Sequence, residues 1–214
     1  MIGPHEVAGK LRHDYLSSID YPDCRLLDAL ERVLNKLHGK SFRVRDFLQD
    51  TAQLIYMQLN INSLSIGLKD LDGDKFRYHA FAGLRPAAEE ALRRCIYSKE
   101  QFFDSDTYPG SIISKYTKLF LAENNPYASN EEETYNRPVM LTQKRKMPDD
   151  SIEGDYLDIH IYDDKNEVIG WIEISGTKSG KLPDPVTIRW LEVISSVIGV
   201  AIAIEKNKRL PRRV

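Results

Sequence analysis

Apolar residues recur at the helical period at Leu26, Leu27, Leu30, Val33, Leu34 and Leu37, and this stripe predicts a helix running to about His38. Asp20 stands as its cap, Pro22 near its first turn and Gly39 as its stop. A second stripe, Val44, Phe47, Leu48, Ala52, Ile55 and Leu59, predicts a helix to about Asn60 with Ser41 as cap. The first twenty residues show no clear period. From Ser63 the period falls to two. SLSIGL places Leu64, Ile66 and Leu68 on one face of a strand, and KFRYHAFAG does the same with Phe76, Tyr78 and Ala80. Pro86 then opens a helix to about Ser98, and SIISKYTKLFLA reads as a further strand. Much of 101–154 is rich in Asn, Pro, Glu and Asp, and a connection that long reads as a lid, a binding loop or a partly disordered segment.

The stretch YLDIHIYDDKNEVIGWIEIS, residues 156–175, is two alternating runs around a polar turn. With Asp163 to Asn166 as the turn, Tyr162 lies opposite Glu167, and Leu157, Ile159 and Ile161 face Ile172, Gly170 and Val168. That side is apolar, with a glycine where a helix backbone has room to approach. The other side carries Tyr156, Asp158, His160 and Tyr162 across from Glu173, Trp171, Ile169 and Glu167, which pairs Tyr156 with Glu173 and Asp158 with Trp171. Its mixture of aromatic and ionisable groups is the makeup of a pocket floor, and Tyr156, Asp158, His160, Trp171 and Glu173 are its candidate ligand-binding residues. The bland alternative leaves Asp158 and Glu173 in solvent and His160 as a satisfied, half-buried histidine.

The final helix, from Pro185 with Asp184 as cap to about Asn207, is apolar around most of its circumference and needs cover on more than one side. Ser195, Gly199 and Ala203 form a small-residue stripe that admits a second helix, from the same chain or a second copy.

Composition changes this picture little. The 30 basic and 32 acidic side chains of the 214 residues nearly cancel, which gives no sign of a nucleic-acid partner. Cys24 and Cys95 are too few for a disulfide framework and too far apart for a metal or redox pair, which suits a cytoplasmic setting. The longest apolar stretch, Val193 to Ile204, is shorter than a bilayer span and contains two serines, so no membrane is expected.

Three motifs fall short. Asp70, Asp72 and Asp74 mimic the opening of a calcium loop, but glycine stands at 73 and Phe81 takes the place of the bidentate glutamate. SGTKSGKLPDP resembles a phosphate loop, with Gly176 and Gly180 one residue too close and Leu182 after Lys181. No spacing supplies zinc or iron ligands, and the charged runs 131–133 and 143–146 read as solvated surface. An enzyme reading has only Asp158 and His160, as base and orienting acid, to rest on.

Residues from about 44 to 206 resemble a GAF domain. The resemblance lies in Gly154-Asp155, in Val168-Ile169-Gly170-Trp171, in the loop from Pro183 to Pro185 and in Leu191-Glu192, together with the strands and helices around them. It implies an α+β fold with a central antiparallel sheet, N- and C-terminal helices on one face, and a ligand-pocket side covered by loops and short helices. It divides the chain into an extension with a helix (1–40), the GAF-like domain (41–207) and a basic tail (208–214). It also implies a sensory module that binds a small molecule, forms a homodimer through its terminal helices and signals to an output protein. A scaffold that binds nothing is the alternative. The cofactor or ligand stays unknown: nothing around Cys95 marks bilin attachment, no cyclic-nucleotide motif is found, and two distant cysteines do not fit methionine sulfoxide reduction.

Overall fold

The computed structural model describes residues 3–18, 21–39, 42–70, 73–124 and 131–209. The proposed caps Asp20 and Ser41, the loop residue Asp72 and the last five residues of the tail lie outside these. In chain order the elements are α1 (Pro4–Ser17), α2 (Pro22–Asn35), α3 (Val44–Gln58), β1 (Leu64–Lys69), β2 (Phe76–Ala82), α4 (Pro86–Arg94), β3 (Ile96–Tyr97), α5 (Lys99–Phe102), β4 (Ser111–Ile112), β5 (Thr117–Phe120), β6 (Tyr156–Tyr162), β7 (Val168–Ile174) and α6 (Pro185–Arg209). The described strands form one seven-stranded sheet in the order β3-β2-β1-β7-β6-β5-β4, every neighbouring pair antiparallel.

The expected α+β architecture is present. One face of the sheet packs Leu64, Ile66 and Leu68 of β1, Leu157, Ile159 and Ile161 of β6 and Ile172 and Ile174 of β7 against Phe47, Leu48 and Ile55 of α3 and Leu191, Ile194 and Ile198 of α6. Leu26, Leu30 and Val33 bring α2 into the same core. Helix α1 forms where the sequence shows no period because it buries nothing, and only a buried stripe imposes one. Lys10 and Asp14 pair along it at 2.5 Å.

Strand β2 departs from the simple alternation. Ile66 pairs with Ala80 but Gly67 pairs with Tyr78, so His79 is an extra residue in β2. This bulge reverses the phase. Ala80 and Ala82 face the helices, whereas Phe76 and Tyr78 join Phe81, Leu92 and Trp171 in a second cluster on the opposite face. SIISKYTKLFLA is a short hairpin of β4 and β5 instead of one strand, closed where Ile113 and Ser114 amides donate to the Thr117 carbonyl. Helix α4 stops at Arg94, short of Ser98, where the chain turns out to pair as β3.

Helix α6 starts as expected: Asp184 Oδ1 accepts from the amides of Val186 (2.8 Å) and Thr187 (3.1 Å). Its span Pro185–Lys208 is long and apolar enough to cross a bilayer, contrary to the sequence-based expectation, but its inward residues are buried against β6 and β7 as in a core helix. The glycine that permits close approach is Gly199, not Gly170. A Cβ on Gly199 would stand 2.5 Å from the Tyr162 carbonyl oxygen of β6, while one on Gly170 would strike the Gly67 carbonyl of the neighbouring strand. The Ser195–Gly199 part of the small-residue stripe is therefore spent on the sheet instead of another helix.

Gly199→Ala is expected to destabilise the chain by roughly 1–3 kcal/mol, as overpacking does. In a helix not pressed against a carbonyl the same change would stabilise by about 1 kcal/mol, so the sign read from urea unfolding checks the contact.

Candidate functional site

The turn after β6 sets the site's register. Asp163 Oδ1 accepts from the amides of Lys165 and Glu167 (2.9 Å each), Asn166 is left-handed at φ 62°, and the ladder is irregular between Ile161 and Tyr162. Tyr162 therefore pairs with Val168 and Ile161 with Gly170, and Ile169 is the extra residue, turned into the helix-side core. The expected pairing is displaced by two residues as a result. Asp158 lies opposite Glu173 and His160 opposite Trp171. An even displacement keeps the faces, so the five candidate residues stay on the side away from α3 and α6.

Adjacent registers join Asp158 and Glu173 into one row across five strands: Lys118 of β5, Asp158 of β6, Glu173 of β7, Ser65 of β1 and Phe81 of β2. The neighbouring row sets Trp171 across Gly67, whose missing side chain leaves the space that the indole ring fills. Trp171 meets Tyr78 at 5.0 Å between ring centres and Phe102 at 4.8 Å. Tyr156 stacks on Phe120 at 4.5 Å.

Above this floor is a cavity of about 650 Å³, of the size that holds a small ligand. Tyr156, Asp158, Trp171 and Glu173 line it; His160 does not. The imidazole sits on the same side but against Phe102 and Tyr162, each 6.2 Å away between ring centres. Burial, and then the charge of Lys118, push its pKa down to about 4, so it is neutral at pH 7. The anticipated joint action of Asp158 and His160 on one group has no geometry here. Residues that pattern alone did not single out complete the wall: Ser65, Tyr97 and Phe102, with Tyr135 and Glu153 from the long connection. Ser65 was visible as the polar alternate of SLSIGL; the rest carry no local signal.

The two acids differ. Glu173 accepts from Tyr78 Oη at 2.8 Å and Ser65 Oγ at 3.3 Å. Asp158 Oδ1 is buried and has no hydrogen-bond partner among the described residues. Burial pushes the Asp158 carboxyl well up, and the charge of Glu173 pushes it further. Burial also raises Glu173, against the opposing hydrogen bonds from Tyr78 and Ser65. Asp158, lacking those donors, is raised the more strongly of the two.

The described part of the long connection borders the cavity and is held by ion pairs from two arginines, Arg145 and Arg137. Arg145 Nη2 meets Asp155 at 2.8 Å with side-chain exposures of 15% and 0%, and its Nε meets Glu123 at 2.9 Å. Arg137 Nε meets Glu153 at 2.9 Å. Asp155 also accepts from the amides of Ala122 (3.0 Å) and Ile152 (2.9 Å). The 143–146 run is thus not simple solvated charge, since Arg145 anchors this segment. In the 131–133 run, Glu133 is engaged by Arg94 at 3.1 Å. At the suspected calcium loop, Asp70 pairs with Arg77 and Asp74 with Lys69, as a hairpin turn would have them. Among the described residues no cluster of three metal-ligating side chains occurs.

Asp158→Asn is expected to stabilise the protein at alkaline pH. A carboxyl whose folded pKa is raised contributes stability that is complete below the unfolded value near 3.9 and is lost as pH rises toward the folded value. The variant lacks that loss, so its stability advantage grows as pH rises from 5 to 8. Comparing the two proteins at each pH cancels His160, which acts in the opposite direction. Conversely, Asp155→Ala removes the buried carboxylate shared by Arg145 and the amides of Ala122 and Ile152, and about 3 kcal/mol of destabilisation is expected in urea unfolding.

No family model matches the chain, and no curated protein matches it. Solved structures do. The phycoerythrobilin-bound GAF domain of a cyanobacterial phytochrome superposes with a TM-score of 0.56 at 12% identity, over 87% of this chain and 98% of that one. The GAF domain of a phosphoenolpyruvate-protein phosphotransferase from Coxiella burnetii gives 0.55 at 12% identity, over 86% and 95%. A methyl-accepting chemotaxis protein fragment gives 0.52 at 11%, over 83% and 98%. With the antiparallel sheet, the helices on one face and the cavity on the other, the fold of this chain is that of a GAF domain.

Proposed function

We propose that the chain is a sensory or regulatory module that binds a small molecule in the cavity over Asp158, Glu173 and Trp171 and passes the event on through its terminal helices. The observation that carries this reading is the cavity itself, about 650 Å³ above a partly aromatic floor with a buried, unpartnered carboxyl oxygen. A scaffold that binds nothing would have filled that space with side chains. Neighbours of the same fold in a phytochrome and a chemotaxis protein agree with a sensory role. The two thiols are free, which suits a cytoplasmic setting.

Strand β5 links the cavity to the helix. Its Lys118 and Phe120 line the cavity, while Thr117 Oγ1 on the reverse side donates to Glu192 Oε1 of α6 at 2.9 Å, joined by Ser114 Oγ. A ligand that moves β5 alters how α6 is held, provided it binds the two arrangements with different affinity. The outward stripe Val186, Val193 and Val200 of α6, spaced by seven and 62%, 48% and 56% exposed, supports a homodimer or an output protein docking along that helix.

Thermal-shift screening of the full chain against common metabolites tests the reading. A ligand at about 100 times its Kd stabilises by about 2.7 kcal/mol, and Trp171→Ala is expected to abolish the shift; a screen in which nothing raises Tm contradicts it. Val193→Glu is expected to lower the molar mass by light scattering from dimer to monomer without changing the far-UV spectrum.

A further inference from the structure

The charge distribution inside the cavity restricts what the proposed module accepts. We infer that its ligand is a small organic cation, a protonated amine on an apolar or aromatic body, with the ammonium against Asp158 and Glu173 and the body against Trp171. This rests on the small-molecule reading above and deepens it.

Two carboxyl groups from paired strands face the cavity together, and among the described residues no ion pair neutralises either. Arg137 is engaged with Glu153, and Arg145 with Asp155 and Glu123. Lys118, half-buried beside Asp158 on β5, makes no hydrogen bond or ion pair to the two acids. The other titratable groups facing the pair are Tyr78, Tyr97, Tyr135, Tyr156 and Cys95, all with pKa values raised first by burial and so uncharged at pH 7. The donors these elements offer go to Glu173, which leaves Asp158 Oδ1 for something that enters. An anion entering here meets Glu173 at once, and a neutral donor satisfies Oδ1 but leaves a buried charge unbalanced.

An ammonium group does both, since it donates to Oδ1 and supplies the counter-charge that lets Asp158 release its proton. The ring set agrees. Trp171 is met edge-on by Tyr78 and Tyr97 at 5.0 and 6.4 Å, and tilted by Phe102 at 4.8 Å. Clustered ring faces attract organic cations, tryptophan most strongly.

Three probes of nearly equal shape separate the possibilities: 2-phenylethylamine, 2-phenylethanol and 3-phenylpropionate, titrated calorimetrically into the full chain at pH 7.5. The amine is expected to bind at least about tenfold more tightly than the alcohol, as a charge-assisted bond implies, with no heat from the acid. Asp158→Asn and Glu173→Gln are each expected to erase most of that preference, and Lys118→Ala to strengthen amine binding two- to threefold. Equal or tighter binding of the alcohol or the acid overturns the inference while leaving the small-molecule reading intact, as does an amine preference that survives Asp158→Asn. Binding by none of the three also overturns it, and the broader reading falls with it only when the metabolite screen is empty too.

Discussion

Two carboxyl groups placed opposite each other on a buried sheet face cannot both be charged without a cation between them, and this constraint organises the cavity. Desolvation penalises each charge, and each charge penalises the other. Glu173 is relieved by the hydroxyls of Tyr78 and Ser65; Asp158 Oδ1 has no hydrogen-bond partner among the described residues, and the charge of Lys118 offsets its burial only in part. A structural ion pair would have closed the account with a nearby arginine, as Arg145 does for Asp155 only a few residues away. That contrast within one segment marks Asp155 as part of the framework and Asp158 as part of the site.

Keeping such a pair buried requires a sheet whose two faces are strictly separated. On one side the isoleucines and leucines of β1, β6 and β7 close against α3 and α6, which comes near enough for Gly199 to touch the Tyr162 carbonyl. On the other side the bulge in β2 turns Phe76 and Tyr78 toward Trp171, and so delivers the hydroxyl that Glu173 uses. Were His79 paired opposite Gly67 in a regular ladder, Tyr78 would pair with Leu68 and face the helices, and Glu173 would lack its nearest donor. Local irregularity in one hairpin thus sets the electrostatics of another.

Much of this was legible beforehand and part was not, for physical reasons. Alternation in YLDIHIY and VIGWIEI separated the faces, with the exception of Ile169, which was assigned to the pocket side and lies in the helix-side core, because burial of one side leaves a period of two in the residues themselves. Register was misjudged by two places, since the Asp163 turn and the extra Ile169 depend on main-chain geometry that no apolar period records; the Asp158–Glu173 pair was hidden for that reason. Helix α1, which buries nothing, left no periodic trace. Lys118, Ser65 and Tyr97 meet Asp158 and Glu173 only through strand order, and Arg145 looked like surface charge until Asp155 was placed beside it. His160 drew attention by its chemistry, yet Phe102 keeps it from the cavity wall.

The state of the two acids in the unliganded protein is the most direct measure of this account. Carboxyl carbon-13 shifts of Asp158 and Glu173, followed from pH 3 to pH 9, should show one carboxyl of the pair still protonated at pH 7, with Asp158 the last to ionise. Two ordinary titrations finished below pH 5 would contradict it, and would make the face over Trp171 no more than a wetted side of the sheet.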